Sequence, residues 1–300
     1  MATSLSRTAN PPARRPRCHE LRRSAEAKGL VLQFQPRLAL SDGALCAMQA
    51  QLRWPRRRGG IAAQSALLPL LEESGLADSA EAWALQAACR AALGWDAAPV
   101  ALALAGGSLR DGRLLDHIGR ALAATGLQAD RLEISLPALA LAGGDDDTLL
   151  AMATLRDRGV AVSLDAFGGT NACLMTLMRL PLTAVKLDRC LVRDLAHNRD
   201  AAALTRAAID FAHALGITTI ATGLETEAQL QWLRQAGCDE AQGSLCGAAW
   251  ATGGAVSPGA LLLDQAAASS PQTPTTWSVF TAGAARVVGS LRAAPSLNTD

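Results

Sequence analysis

The chain has 300 residues, half of them hydrophobic, and a formal net charge of +1 at pH 7. This allows a sizeable globular core, in one large domain or two ordinary ones, and excludes a global field that would steer the protein to nucleic acid or membranes. No run approaches the roughly 18 apolar residues that span a bilayer, and no signal-peptide pattern opens the chain, so we expect a cytoplasmic protein without a membrane partner.

The first 28 residues have the composition of a flexible basic arm. The segment contains seven arginine and lysine residues but only two glutamates, and prolines at positions 11, 12 and 16 disfavour a helix there. A solvated, disordered leader is the simpler interpretation, and a contact with nucleic acid or an acidic partner is the alternative.

Residues 29–251 alternate between short strand-like runs and helical runs, and many of the helical runs stop at glycine, as a C-terminal helix cap requires. Eight such alternations predict an α/β fold, a (β/α)8 TIM-like barrel. The strand-like runs, in chain order, are VLQFQP, LCAMQAQLRW, VALALAG, LEISLP, VAVSLDAF, AVKLD, ITTIATG and EAQG.

Cysteine and histidine give no sign of disulfides or of zinc. The seven cysteines are odd in number without a C-x-x-C pair, and the four histidines are far apart, so we expect reduced thiols and no zinc site. Residues 252–300 are rich in Ala, Ser, Thr, Gly and Pro, apart from an apolar stretch around residues 284–291. This composition predicts a mostly disordered tail.

The chemistry of such a barrel lies where strands end and loops begin, and there the sequence resembles the EAL family, bacterial phosphodiesterases that hydrolyse cyclic di-GMP. The resemblance runs from about Leu30 to Trp250 and implies the family's barrel. Six motifs carry it in order: FQP, QAQLRW for E-A-L-L-R-W, LDAFGG for L-D-D-F-G-T, VKLDRCLV for L-K-I-D-R-S-F-V, ATGLET for A-E-G-V-E-T, and an unchanged GCDEAQG.

The family uses two divalent metals to activate a bridging water, which requires several anionic oxygens. Most of the implied acids and ligands are replaced here, at Gln49, Ala103, Ser135, Ala138, Ala166 and Thr222. Four positions keep the family's residue type, namely Asp165, Lys186, Glu225 and Gln242. One aspartate and an amide should not hold a pair of Mg²⁺ ions. We therefore expect no metal, no cofactor and no phosphodiesterase activity.

The resemblance also implies nucleotide contacts. Gln35 and Arg53 match family residues that face the ligand, and a guanidinium can fork onto a phosphate. The alternative is that both serve hydrogen bonds at the barrel end. The retained Asp165, Lys186, Asp188 and Glu225 are interpreted as a structural charge cluster at the barrel mouth, or as catalytic relics.

With the catalytic groups replaced, the chain resembles the regulatory members of the family, which include repressors of motility or virulence genes. We therefore expect a non-catalytic regulator that represses gene expression by binding a protein partner. Arg56, Arg57 and Arg58 are candidate contacts for that partner or for nucleic acid phosphates. A metal-independent cyclic di-GMP receptor and a residual phosphodiesterase are the alternatives, and homodimerisation stays open.

Overall fold

A computed structural model describes residues 29–55, 61–62, 64–109, 112–141, 146–168, 178–195 and 197–251. Three of the sequence predictions lie outside the described residues. They are the basic arm (residues 1–28), the tail (residues 252–300) and the contacts of Arg56, Arg57 and Arg58.

The described strands form one sheet that closes into a barrel. Eight of them make the closed ring in the order β1-β9-β8-β7-β6-β5-β4-β2, and β2 pairs again with β1. The predicted eight-stranded barrel is therefore confirmed. The strands are β1 (Val31–Ala39), β2 (Leu45–Pro55), β3 (Ile61–Ala62), β4 (Val100–Ala103), β5 (Leu132–Pro137), β6 (Ala161–Phe167), β7 (Ala184–Leu187), β8 (Thr218–Thr222), β9 (Glu240–Gln242) and β10 (Trp250–Ala251).

Helices connect the strands and bury their apolar faces. In the third helix, for example, Leu114, Ile118 and Ala121 are buried, and the helix stops at Gly126, whose φ of 74° is the left-handed cap that glycine allows. In the described ranges, no helix is both long and apolar enough to cross a membrane. The helices are α1 (Gln64–Ser74), α2 (Ala77–Ala92), α3 (Arg113–Thr125), α4 (Ala138–Leu141), α5 (Asp146–Asp157), α6 (Arg189–Arg193), α7 (Arg199–Ala214) and α8 (Glu227–Gln235).

The first strand runs against the rest of the barrel. β1 is antiparallel to both β2 and β9, whereas the other ring pairs are parallel. Only residues 40–44 join β1 to β2, with Gly43 at φ 75°, and a parallel neighbour would need a crossover of about a dozen residues or more. The start of β1 therefore lies beside the end of β2.

This reversal changes the position of one predicted site residue. The strand-like run VLQFQP puts Gln35 near the end of the first strand, but β1 extends to Ala39, so Gln35 lies in its middle, directly opposite Gln49 of β2. Farther along the same pair, Gln33 faces Gln51 and Val31 faces Arg53. The polar side chains of the opening motif therefore lie beside those of the first strand.

Candidate functional site

Lys186 lies at the centre of the barrel interior. Its side chain is 3% exposed, and its ammonium donates hydrogen bonds to Gln49 Oε1 and to Ser135 Oγ, the latter at 2.6 Å. Burial lowers the pKa of Lys186, while the charges of Glu133 and Asp165 oppose that shift. The lysine therefore contacts two of the positions at which the family pattern has acids.

A buried ion pair lies deeper in the barrel. The Arg37 guanidinium donates to Glu133 Oε1 at 2.9 Å and to Glu133 Oε2 at 2.6 Å, and its Nε lies 2.6 Å from Glu240 Oε2. Burial alone would raise the pKa of Glu133, but Arg37, Lys186 and a hydrogen bond from Ser163 lower it to about 2. Glu133 is therefore ionised and lies between two cations.

Serine hydroxyls connect this pair to Lys186. Ser163 donates to Glu133 Oε1 at 2.7 Å, and the hydroxyls of Ser163 and Ser135 are 2.8 Å apart. The Glu133 carboxylate itself lies 3.9 Å from Lys186 Nζ. The result is one continuous polar path from Arg37 through Glu133 to Lys186 in the barrel interior.

The structure assigns Lys186 a different partner from the one expected. The sequence interpretation grouped it with Asp165, Asp188 and Glu225 at the barrel mouth. Within the described residues, the ion-pair partner of Lys186 is Glu133. Asp188 instead caps α6 by accepting from Cys190 N at 2.8 Å, and Glu225 is exposed. Among the described residues, Asp165 of the expected cluster acts on Lys186 through its charge, but inward-pointing positions of β5 and β7 make Glu133 the ion-pair partner.

Sequence reasoning missed Glu133 and Arg37. In LEISLP, alternation puts Glu133 and Ser135 on one face of β5, while Leu132, Ile134 and Leu136 point to the other. That alternation was a usable signal, since two polar residues two positions apart in a buried strand must find partners inside. It could not identify Arg37 as the partner, because 96 residues separate the two.

The remaining predicted positions surround the rim. Asp165 is half-buried, and its Oδ1 accepts from the backbone N–H of Ala166 at 3.0 Å. Ala166 is exposed and has a φ of 56°, a left-handed conformation that is rare outside glycine. Thr222 donates to the backbone oxygen of Leu187 at 2.7 Å. These three residues therefore supply one carboxylate among them.

Two further predicted positions carry only methyl side chains. Ala103 ends β4 and lines a small, mainly apolar cleft with Leu71, Ala80 and Ala84. Ala138 begins α4 and is half-buried. Neither side chain has an oxygen or nitrogen that could bind a metal ion.

A row of amides crosses the barrel mouth. The Arg53 guanidinium donates from Nε to Gln33 Oε1 at 3.0 Å and from Nη2 to Gln51 Oε1. Gln35 Oε1 accepts from Gln51 at 3.1 Å and from Gln242 at 3.0 Å. The candidate nucleotide contacts Gln35 and Arg53 are thus linked through Gln51, across the three strands β9, β1 and β2.

The residues at the implied metal positions do not fit a pair of divalent ions. Gln49 and Ser135 are neutral and already accept hydrogen bonds from a lysine. In the part of the chain that the structure describes, no three His, Cys, Asp or Glu side chains form a group that could hold a metal. Hard cations such as Mg²⁺ require several oxygen ligands in near-octahedral order, which Asp165 alone does not supply.

Comparison with known proteins assigns the family. The model of the EAL domain matches residues 19–249. This chain belongs to the EAL domain family. Among its curated relatives is the bifunctional diguanylate cyclase/cyclic di-GMP phosphodiesterase MucR of Pseudomonas aeruginosa, 32% identical over 234 residues that make up 76% of this chain and 34% of the relative. The cyclic di-GMP phosphodiesterase NbdA of the same organism is 33% identical over 231 residues, 75% of this chain and 30% of the relative.

Solved structures of EAL domains share the fold. The structure described as the PaMucR phosphodiesterase in a cyclic di-GMP complex is 31% identical, with a TM-score of 0.74, and the match covers 78% of this chain and 97% of that one. The FimX EAL domain of Xanthomonas citri, in complex with cyclic di-GMP, is 24% identical with a TM-score of 0.66, over 77% of this chain and 92% of that one. The chain spans about a third of the length of the curated relatives it matches.

These comparisons correct the functional expectation. A repressor of gene expression that acts through a protein partner is wrong as the main interpretation, because both named relatives are cyclic di-GMP phosphodiesterases and the matching MucR structure contains cyclic di-GMP. The analogy failed because a loss of ligands says nothing about which partner replaces the chemistry. The nucleotide-centred alternatives agree better with these findings.

Proposed function

We propose that this EAL domain binds cyclic di-GMP without metal-dependent hydrolysis. The observation that carries the proposal is the contact of Lys186 with Gln49 and Ser135, where the family pattern has acids. The choice of cyclic di-GMP as the ligand is supported by the relatives MucR and NbdA and by the MucR structure, all of which are named for cyclic di-GMP.

Charge balance argues against a metal pair in this barrel. Glu133 and Glu240 are both within ion-pair distance of Arg37, and Glu133 also faces Lys186. Two cations and two carboxylates leave no excess negative charge to offset a divalent ion in a poorly solvated interior. With an alanine at position 166 and a threonine at position 222, the rim adds one half-buried carboxylate, Asp165.

Nucleotide binding requires less of the site than hydrolysis does. Two of the five N–H groups of Arg53 donate to Gln33 and Gln51, and the rest of the guanidinium can fork onto a phosphate. Gln35 lies on the same row of side chains. A phosphodiester bound at Arg53 needs no metal to neutralise its single charge.

Titration calorimetry of the whole 300-residue chain with cyclic di-GMP tests the proposal. We expect binding in EDTA and in Mg²⁺ with the same affinity, and a loss of about tenfold or more in Arg53→Ala, the size of a hydrogen bond to a charged group. Arg120→Ala is the matched control because Arg120 is 75% exposed on α3. Absence of binding, or binding that requires a divalent ion, would refute the proposal.

Residual phosphodiesterase activity is the second candidate, favoured by the names of the relatives and by the retained Asp165, Lys186, Glu225 and Gln242. Incubation with cyclic di-GMP and Mn²⁺, followed by chromatography of the products, separates the two candidates. If the protein turns over cyclic di-GMP, and Asp165→Asn abolishes this activity while Asp157→Asn leaves it unchanged, the domain is a phosphodiesterase and not a receptor.

A further inference from the structure

Gln51 stands where the family motif has the leucine of its name, and its side chain is hydrogen-bonded on both sides. Its Oε1 accepts from Arg53 Nη2, and its Nε2 donates to Gln35 Oε1 at 3.1 Å. Directly across the β1–β2 pair lies Gln33, which accepts from Arg53 Nε at 3.0 Å. The leucine of the family motif could make neither contact, so the link between Arg53 and Gln35 depends on the glutamine at position 51.

The partners of Arg53 differ in charge from those of Arg37. Arg37 forms ion pairs with two carboxylates, Glu133 and Glu240. In the described ranges Arg53 is bonded to the amide oxygens of Gln33 and Gln51, both neutral. Burial lowers the pKa of Arg53. Its guanidinium is therefore oriented on two sides, and no carboxylate of the described residues forms an ion pair with it.

Such an arrangement favours the binding of an anion. A neutral amide holds a guanidinium in place without consuming its charge, whereas a carboxylate partner would compete with an incoming phosphate. Pre-orientation also lowers the conformational entropy that a long side chain loses on binding. The amide row thus prepares Arg53 for a phosphodiester in a way that an acidic neighbour would not.

We propose that Gln51 is a positioning residue, which fixes the Arg53 guanidinium through a neutral oxygen and connects it to Gln35. Arg53 and Gln35 then bind one phosphodiester of the nucleotide together. This role rests on the proposed function and adds a residue that orients the two phosphate contacts. Gln51 itself need not touch the ligand.

Two substitutions of Gln51 test the role in the full chain by calorimetry with cyclic di-GMP. Gln51→Leu removes both hydrogen bonds, and we expect the affinity to fall about tenfold. Gln51→Glu keeps an acceptor for Arg53, loses the donor to Gln35 and adds a negative charge, and we expect an equal or larger fall in affinity. Gln231→Leu and Gln231→Glu, on the exposed face of α8, are matched controls that should bind as the wild type does.

The glutamate variant separates positioning from a merely structural role. If Gln51 served only stability, Gln51→Glu would bind cyclic di-GMP like the wild type whenever it melts at the same temperature. That result would overturn the positioning role while leaving the proposed function intact. An affinity of Gln51→Leu within about twofold of the wild type would do the same, because the loss of one hydrogen bond to a charged group should cost more than that. A wild type that does not bind cyclic di-GMP overturns the proposed function, and the role of Gln51 with it.

A readout without nucleotide completes the test. In ¹⁵N-resolved NMR spectra, the Nε–H signal of Arg53, assigned with Arg53→Lys, reports the orientation of the guanidinium. We expect it to shift and broaden in Gln51→Leu and to stay unchanged in Gln231→Leu. An unchanged Arg53 signal in Gln51→Leu would also overturn the role.

Discussion

Ala166 adopts a backbone conformation that its side chain disfavours. It follows Asp165 at the end of β6, with a φ of 56°, and an L-residue with a Cβ pays roughly 1–2 kcal/mol in this region. Aspartate, which the family pattern has at this position, tolerates the left-handed conformation better than alanine does. The backbone at position 166 thus has a geometry that suits aspartate better than the alanine present.

We predict that Ala166→Gly raises the free energy of unfolding by about 0.5–1 kcal/mol, because glycine adopts positive φ without steric cost but loses more entropy on folding. Urea unfolding followed by circular dichroism measures the change. The matched control is Ala123→Gly on the exposed side of α3, where the same substitution should cost about 1 kcal/mol. Equal effects at both positions would contradict the argument.

At the scale of single elements, α8 is fixed by a reciprocal cap that also orders the loop after β8. Thr226 Oγ1 accepts from Gln229 N at 3.3 Å, and Gln229 Oε1 accepts from the backbone N–H groups of Thr226 at 3.0 Å and Glu225 at 2.9 Å. Gln229 Nε2 also donates to the backbone oxygen of Arg193 at 3.3 Å. The retained Glu225 is therefore held at its backbone by the start of a helix.

Thr226→Ala removes the threonine half of this capping box, and we expect it to lower the free energy of unfolding by about 1 kcal/mol. Chemical denaturation of the variant gives the value directly. Gln231→Ala, on the exposed face of the same helix, should change it by less than about 0.5 kcal/mol. A cap variant as stable as that control would show that the loop is ordered by other contacts.

At the scale of the whole molecule, the Arg37–Glu133 pair connects opposite sides of the barrel. Arg37 lies on β1 and Glu133 on β5, and Glu240 of β9 adds a second carboxylate to the same guanidinium. Removing one member of a buried pair costs about 3–5 kcal/mol, because the other charge is left without compensation. The interior charges therefore make closure of the barrel sensitive to the ionisation of Glu133.

The pKa of Glu133 fixes the pH range of this contribution. Because the folded-state pKa is lowered from 4.5 to about 2, the stability gained from the ionised carboxylate is fully present above about pH 4.5 and is lost as the pH falls toward 2. We predict that Glu133→Gln destabilises the protein by about 3 kcal/mol at pH 6, and by progressively less below pH 4.5.

Denaturant titrations between pH 2.5 and 6 measure this difference, with the exposed Glu72→Gln as a control that should remain near zero throughout. A gap between wild type and Glu133→Gln that stays constant over the range would mean that Glu133 is not ionised in the fold.

The sequence by itself determined the barrel, and its motifs predict the replacement of the family's metal-binding acids. Alternating strands and helices, with glycine stops, depend on local spacing, and Gln49, Ser135 and Ala166 could be read position by position against the family motifs. The sequence also contains the dipeptide Asp42-Gly43, a common turn signal, at the point where the chain reverses between β1 and β2.

Only the tertiary structure decided which polar groups meet. Arg37 and Glu133 are 96 residues apart, and Lys186 and Gln49 are 137 apart, so no local pattern relates them. Closure of the ring brings these side chains into one interior, where burial forces each to find a partner. For the same reason Lys186 forms its ion pair with Glu133, and Arg53 lies among amides at the mouth.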